Sequence, residues 1–101
     1  MKNFRTYQLA LQFYKDCQGL KLRAPFKDHF ERALLSVLLN LAEGSAKPTS
    51  KDRRRFYSIS MGSLRETQVI LELCGQSERL KKSDPVAACL YRLIQNAGGR
   101  T

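Results

Sequence analysis

The sequence is poor in the residues that punctuate, crosslink or catalyse: three prolines, six glycines, three cysteines, one histidine and no tryptophan among 101 residues. So few helix breakers leave long uninterrupted segments. The lone histidine, His29, sits in no nucleophile motif, so no Ser/His/Asp or Cys/His arrangement is on offer. Cys17, Cys74 and Cys89 lie far apart, and an odd set cannot close into disulfides. They read as small reduced core residues. The glycines form neither of the common phosphate-cradling loops. No stretch approaches the ~18 consecutive apolar residues of a membrane span, and the opening Met1-Lys2-Asn3-Phe4-Arg5-Thr6 has no signal-peptide apolar core. These absences predict a soluble cytoplasmic protein with no membrane partner, no cofactor and no catalytic site. Acidic residues are also scarce: 9 against 18 Lys and Arg leave a formal charge of +9, which favours a polyanionic partner.

What is present is helical periodicity. With 43% hydrophobic residues the chain can fill one ordinary core, so residues 1–101 are expected to form a single domain. Apolar spacing predicts a first helix from about Arg5 to Gln18, stopped by Gly19, and a second from Phe26 to Glu43, ended by Gly44 in a left-handed conformation. The third opens at Thr49 or Ser50, with a hydroxyl cap and Asp52 in its first turn, and runs past Cys74. The last opens at Asp84-Pro85 and closes at Asn96-Ala97-Gly98-Gly99. The fold class is therefore all-α, and the short links favour an antiparallel up-down four-helix bundle.

Two of these helices are apolar on both sides. Phe30, Leu34, Val37 and Leu41 share one face of the second helix, and Leu35, Leu39 and Ala42 project from nearly the opposite side. In the third, Phe56, Ile59, Ile70 and Leu73 form one stripe and Tyr57, Met61, Leu64 and Leu71 another. A bundle this small has no interior to cover both, so self-association is expected, with Leu35, Leu39, Tyr57, Met61 and Leu64 as the oligomer face. The alternative is a set of ordinary surface leucines.

Polar residues interrupt these stripes. His29, Arg32, Ser36, Asn40 and Glu43 lie on one arc of the second helix. Ser63 and Glu66 fall near the centre of the first stripe of the third, where a carboxylate needs a partner. Gly62 suggests close backbone approach. Ser36, Asn40, Glu43, Gly62, Ser63 and Glu66 are accordingly expected to form a structural polar network or oligomer contacts. Read instead as catalysis or metal binding, Glu43 and Glu66 fall short, because a bundle di-metal site draws on more carboxylates and on Glu-x-x-His pairs. No metal is expected.

Lys47, Lys51, Arg53, Arg54 and Arg55 crowd the start of the third helix with Asp52 among them, a local excess of +4. Cations there oppose the helix dipole, so the cluster asks for a reason outside helix stability. Phosphate would supply one; a solubilising surface is the plain alternative. A second run, Arg79, Lys81 and Lys82, precedes the last helix and marks the opposite end.

The stretch Ser36-Val37-Leu38-Leu39-Asn40-Leu41-Ala42-Glu43-Gly44-Ser45 and the later Phe56-Tyr57-Ser58-Ile59-Ser60-Met61-Gly62-Ser63-Leu64-Arg65-Glu66-Thr67 resemble the bacterial four-helix bundle family. That family includes the 23S rRNA intervening-sequence proteins and the accessory protein of diversity-generating retroelements. Phe4-Arg5-Thr6-Tyr7-Gln8-Leu9-Ala10 is similar to its first helix. Asn40, Glu43, Gly44, Gly62, Ser63 and Glu66 match its signature positions. The resemblance implies a ring-like homo-oligomer, commonly a homopentamer, and in the retroelement branch binding to nucleic acid and to a reverse transcriptase. The expected function is a non-enzymatic basic oligomeric bundle that binds RNA or DNA through phosphate contacts, centred on Lys47, Lys51, Arg53, Arg54 and Arg55. The alternative is a protein-interaction scaffold that binds no nucleic acid.

Overall fold

Helix α1 spans Arg5–Asp16, α2 Phe26–Ser45, α3 Ser50–Leu73, α4 Ser77–Lys82 and α5 Asp84–Ala97 in a computed structural model that describes residues 4–97. No strand occurs among the described residues. The four long helices start close to their expected places, for local reasons. Thr49 Oγ1 accepts the Asp52 amide at 3.2 Å and caps α3, with the Asp52 carboxylate in the positive first turn. Pro85 occupies the first turn of α5, where its missing amide has no partner to lose. Gly19 and Gly75 take φ of +82° and +70° as the chain leaves α1 and α3. Gly98 and Gly99, expected to end the last helix, lie outside the described residues. The short α4 was not expected, since its Ser77-Glu78-Arg79-Leu80 sequence carries too few apolar positions to show a period. It is anchored by its end: Gln68 Nε2 on α3 donates to Ser83 Oγ at 2.8 Å, and Ser83 is fully buried.

The largest interface is between α2 and α3, whose contacts run in opposite order along the two helices. Gly44 lies against Tyr57, the Val37 carbonyl accepts from Ser60 Oγ at 2.8 Å, and Ser36 Oγ meets Ser63 Oγ at 2.7 Å. Helix α5 packs on α3 and α1, with Thr6 Oγ1 donating to Cys89 Sγ at 3.2 Å between α1 and α5. Leu41, Leu64, Leu71 and Leu90 are fully buried where the helices meet, each worth roughly 1.5–3 kcal/mol of burial. No helix among the described residues is long and apolar enough to cross a membrane.

The structure corrects the expected faces of α3. Tyr57 and Leu64, assigned to the oligomer face, are 4% and 0% exposed and belong to the protomer core. Met61 is half-buried and packs against that core. The inward row is Tyr57, Ser60, Leu64, Thr67 and Leu71, at alternating spacings of three and four. Two of its members, Ser60 and Thr67, are small aliphatic alcohols, which hides the row from a count of apolar residues. Both hydroxyls are satisfied by backbone carbonyls, Ser60 on Val37 and Thr67 on Ser63 at 2.9 Å, so their burial carries no unpaired polar group. Ile59 and Leu73, by contrast, face outward.

The two internal glycines also exchange roles. Gly44 does not take a left-handed conformation; α2 continues through it to Ser45. A Cβ at Gly44 would sit 2.7 Å from Tyr57 Cε1 and 3.0 Å from Phe56 Cβ, so this is where α2 and α3 approach most closely. At Gly62, expected to mark such an approach, a Cβ would meet nothing within 4 Å. Gly44→Ala should therefore destabilise the protein by about 1–3 kcal/mol through overpacking against a buried ring that cannot swing away. Gly62→Ala should leave it as stable or slightly more stable. Urea titration of the two variants side by side checks this, and equal effects would refute the assigned approach.

Candidate nucleic-acid interface

The α2–α3 connection, residues 46–49, gathers the basic cluster at one end of the bundle. Its five cations do not share one environment. Arg53 turns back and donates through Nη1 to the carbonyls of Lys47 and Pro48, both at 3.1 Å, so it clamps the loop that α3 leaves. Lys47 pairs with Glu43 at 3.0 Å and lies 5.0 Å from the centre of the Phe56 ring. Arg55 rests on the same ring at 4.4 Å. Arg54 Nε reaches the Ile94 carbonyl of α5 at 3.4 Å. Lys51, Arg54 and Arg55 are exposed, and Lys47 and Arg53 are half-buried. Phe56 thus orients two cations from opposite sides of the loop. Its ring beside the helix start was not identified as a functional position, although an aromatic directly after three arginines was the available signal.

The polar signature residues occupy the outer seam between α2 and α3. Asn40 Nδ2 donates to Ser36 Oγ at 3.0 Å and to the Ser36 carbonyl at 2.9 Å, and Ser36 meets Ser63 across the helices. Glu43 is exposed at the loop end of the seam, in its pair with Lys47. Glu66 departs from expectation: it is exposed and borders a shallow depression with Phe26, His29, Val69 and Ile70. Glu66 lies with Ile59 and Leu73 on the outward side of α3, although Ile70 of the same stripe is buried. Glu43 and Glu66 therefore form no inward pair. Among the described residues no group of three or more His, Cys, Asp or Glu side chains is placed to hold a metal ion.

The thiols are free, with Cys17 and Cys89 buried and Cys74 half-buried. Burial pushes the Cys17 thiol up to about 11, against the opposing pull of Arg79. A thiol so held is protonated and unreactive at neutral pH. Burial likewise raises the Tyr57 phenol above its ordinary value, with Arg53 opposing.

The two kinds of arginine separate in a stability measurement. Arg53→Ala should lower the thermal midpoint by several degrees, since it frees two loop carbonyls from a charge-assisted donor worth about 1.5–3 kcal/mol. Lys51→Ala should leave the midpoint unchanged. Differential scanning calorimetry reads both, and an unshifted midpoint for Arg53→Ala would remove the clamp.

No curated protein and no solved structure matches the chain significantly. A family model described as 23S rRNA-intervening sequence protein matches residues 2–95, which covers α1 to α4 and nearly all of α5. On that match the chain belongs to the 23S rRNA-intervening sequence protein family.

Proposed function

We propose that this protein is a non-enzymatic, basic helical bundle that assembles with copies of itself into a ring and binds RNA or DNA through phosphate contacts at the α2–α3 loop. The observation that carries the binding reading is the set of exposed cations there. Lys51, Arg54 and Arg55 are exposed at or just after a helix start, where the dipole disfavours cations. Arg55 is held in place by Phe56, which reduces the freedom lost when it meets a phosphate. No DNA-reading motif accompanies them, so recognition is of the backbone rather than of base edges. The family match favours the ribosomal intervening-sequence branch over the retroelement branch with its reverse transcriptase partner.

Assembly is supported by a different surface. Leu39 and Leu73 are 59% and 67% exposed, and Leu35, Ile59 and Val69 are also exposed, on the outer sides of α2 and α3. Apolar side chains left exposed on two helices of one small bundle are what an interface between copies would cover. The up-down four-helix protomer of a cyclic particle, a pentamer by family resemblance, is the arrangement that covers it in every copy.

Fluorescence anisotropy with two labelled RNAs of unrelated sequence tests the binding reading. Lys51→Ala combined with Arg55→Ala should weaken both RNAs alike and reduce the salt slope by about one unit per lost contact. Absence of wild-type binding near physiological salt would leave the protein-interaction scaffold. Assembly is read by light scattering. The double variant Leu39→Glu, Leu73→Glu should run as a folded single subunit, and a wild-type protein of subunit mass at high concentration would overturn the ring.

A further inference from the structure

We infer that nucleic acid is held at one end of the bundle only, the end built by the α2–α3 loop, and that the opposite end stays free of it. This rests on the proposed binding function and adds its direction. The sequence carries a basic run at each end, and a window over either run suggests a phosphate site. The fold brings each run together with its neighbours, and the two sums differ.

At the loop end, segment 43–55 holds Lys47, Lys51 and Arg53 to Arg55 against Glu43 and Asp52, a net +3. Arg5 joins it, because Phe4 at the start of α1 lies against Tyr57 with ring centroids 6.2 Å apart, which makes the local total +4. The end of α5 is there too, through Arg54 and the Ile94 carbonyl, and brings no carboxylate side chain from its last turns. At the far end, Lys21 and Arg23 of the α1–α2 link border one depression with Leu73, Cys74 and Gln76 at the end of α3. Segments 15–31 and 72–84 meet there. The first carries Lys15, Lys21, Arg23 and Lys27 against Asp16, Asp28 and Glu31, a net +1. In the second, Arg79, Lys81 and Lys82 are balanced by Glu72, Glu78 and Asp84, a net of zero. Arg65 of α3 borders the same Glu72, Lys81 and Asp84, so the run before α5 is offset by its surroundings to a net +1.

Distance keeps the two ends independent. The bundle is 41 Å long, several times the Debye length of about 8 Å at physiological salt. A phosphate backbone at either end therefore responds to the local sum and not to the total of the chain. In a cyclic assembly every copy points the same way along the axis, so the basic ends form one rim. Several loops can then contact one nucleic-acid strand together, and the other face of the ring remains open to a different partner.

Two charge-reversal pairs of equal formal change test this: Lys51→Glu with Arg55→Glu at the loop end, and Lys81→Glu with Lys82→Glu at the other. All four residues are exposed, and circular dichroism checks that both variants fold. Anisotropy with a labelled RNA at one salt concentration should show a loss of about tenfold or more for the first pair and less than about twofold for the second. Equal losses would overturn the one-ended assignment while leaving nucleic-acid binding intact. Absence of binding by the wild type would overturn the proposed function itself. Lysine acetylation of the wild-type protein gives the same answer without mutation: bound RNA should protect Lys51 and leave Lys81 and Lys82 reactive, and protection at both ends would refute the inference.

Discussion

The close approach of α2 to α3 sets everything else in this protein. It requires a residue without a side chain where the Tyr57 ring crosses α2, and Gly44 supplies it. It also requires that the small residues between the helices bring no unpaired polar atom. Ser60 and Thr67 meet that condition by donating to carbonyls, and Ser36 by its hydrogen bond with Ser63. Large apolar side chains in their places would force the helices apart. Hydroxyl-bearing residues keep the spacing short, and Ser60 ties the register to Val37 by using the second lone pair of a helical carbonyl.

That device explains what was legible in the sequence and what was not. The helices themselves were plain, because Thr49, Pro85 and Gly19 are local signals whose meaning does not depend on the rest of the chain. The face of α2 toward the core was plain too, since Phe30, Leu34, Val37 and Leu41 are all apolar and all buried. On α3 two stripes of four apolar residues each compete, and the first points outward at Ile59 and Leu73 while its Ile70 is buried. The inward row contains Ser60 and Thr67, whose burial makes sense only when the carbonyls of α2 and of the preceding turn are in view. Periodicity counts hydrophobicity, and it cannot count a hydrogen bond to a partner 23 residues away. The role of Gly44 was hidden in the same way, because a glycine at a helix end reads as a cap until the crossing ring is known.

The orientation of α3 also divides the surface by chemistry. Its outer side, with that of α2, presents Leu35, Leu39, Ile59, Val69 and Leu73 along the length of the bundle. The polar seam of Ser36, Asn40 and Ser63 runs between them. The basic cluster sits instead at the loop end, while Arg32 and Arg65 are exposed on the flanks. A protein with its basic cluster at the tip can join copies side by side without burying that cluster. Had the cluster been spread along the flanks, assembly would have demanded its desolvation at a cost of several kcal/mol per ion.

The basic cluster itself has two explanations, and the structure separates them residue by residue. A cation in the first turn of a helix opposes the dipole by about 0.3–1 kcal/mol, which applies to Lys51 and fades across Arg53 to Arg55. Arg53 recovers that loss inside the protein, through its two bonds to loop carbonyls. Lys47 recovers it through Glu43. Arg55 gains a cation–π contact on Phe56 but keeps its guanidinium in solvent, and Lys51 is exposed beside it in the first turn. The unfavourable placement of these last residues is therefore not offset within the protomer to the same extent. A charge that folding does not require, placed where folding would prefer its absence, is the kind of charge the proposed phosphate contact would use.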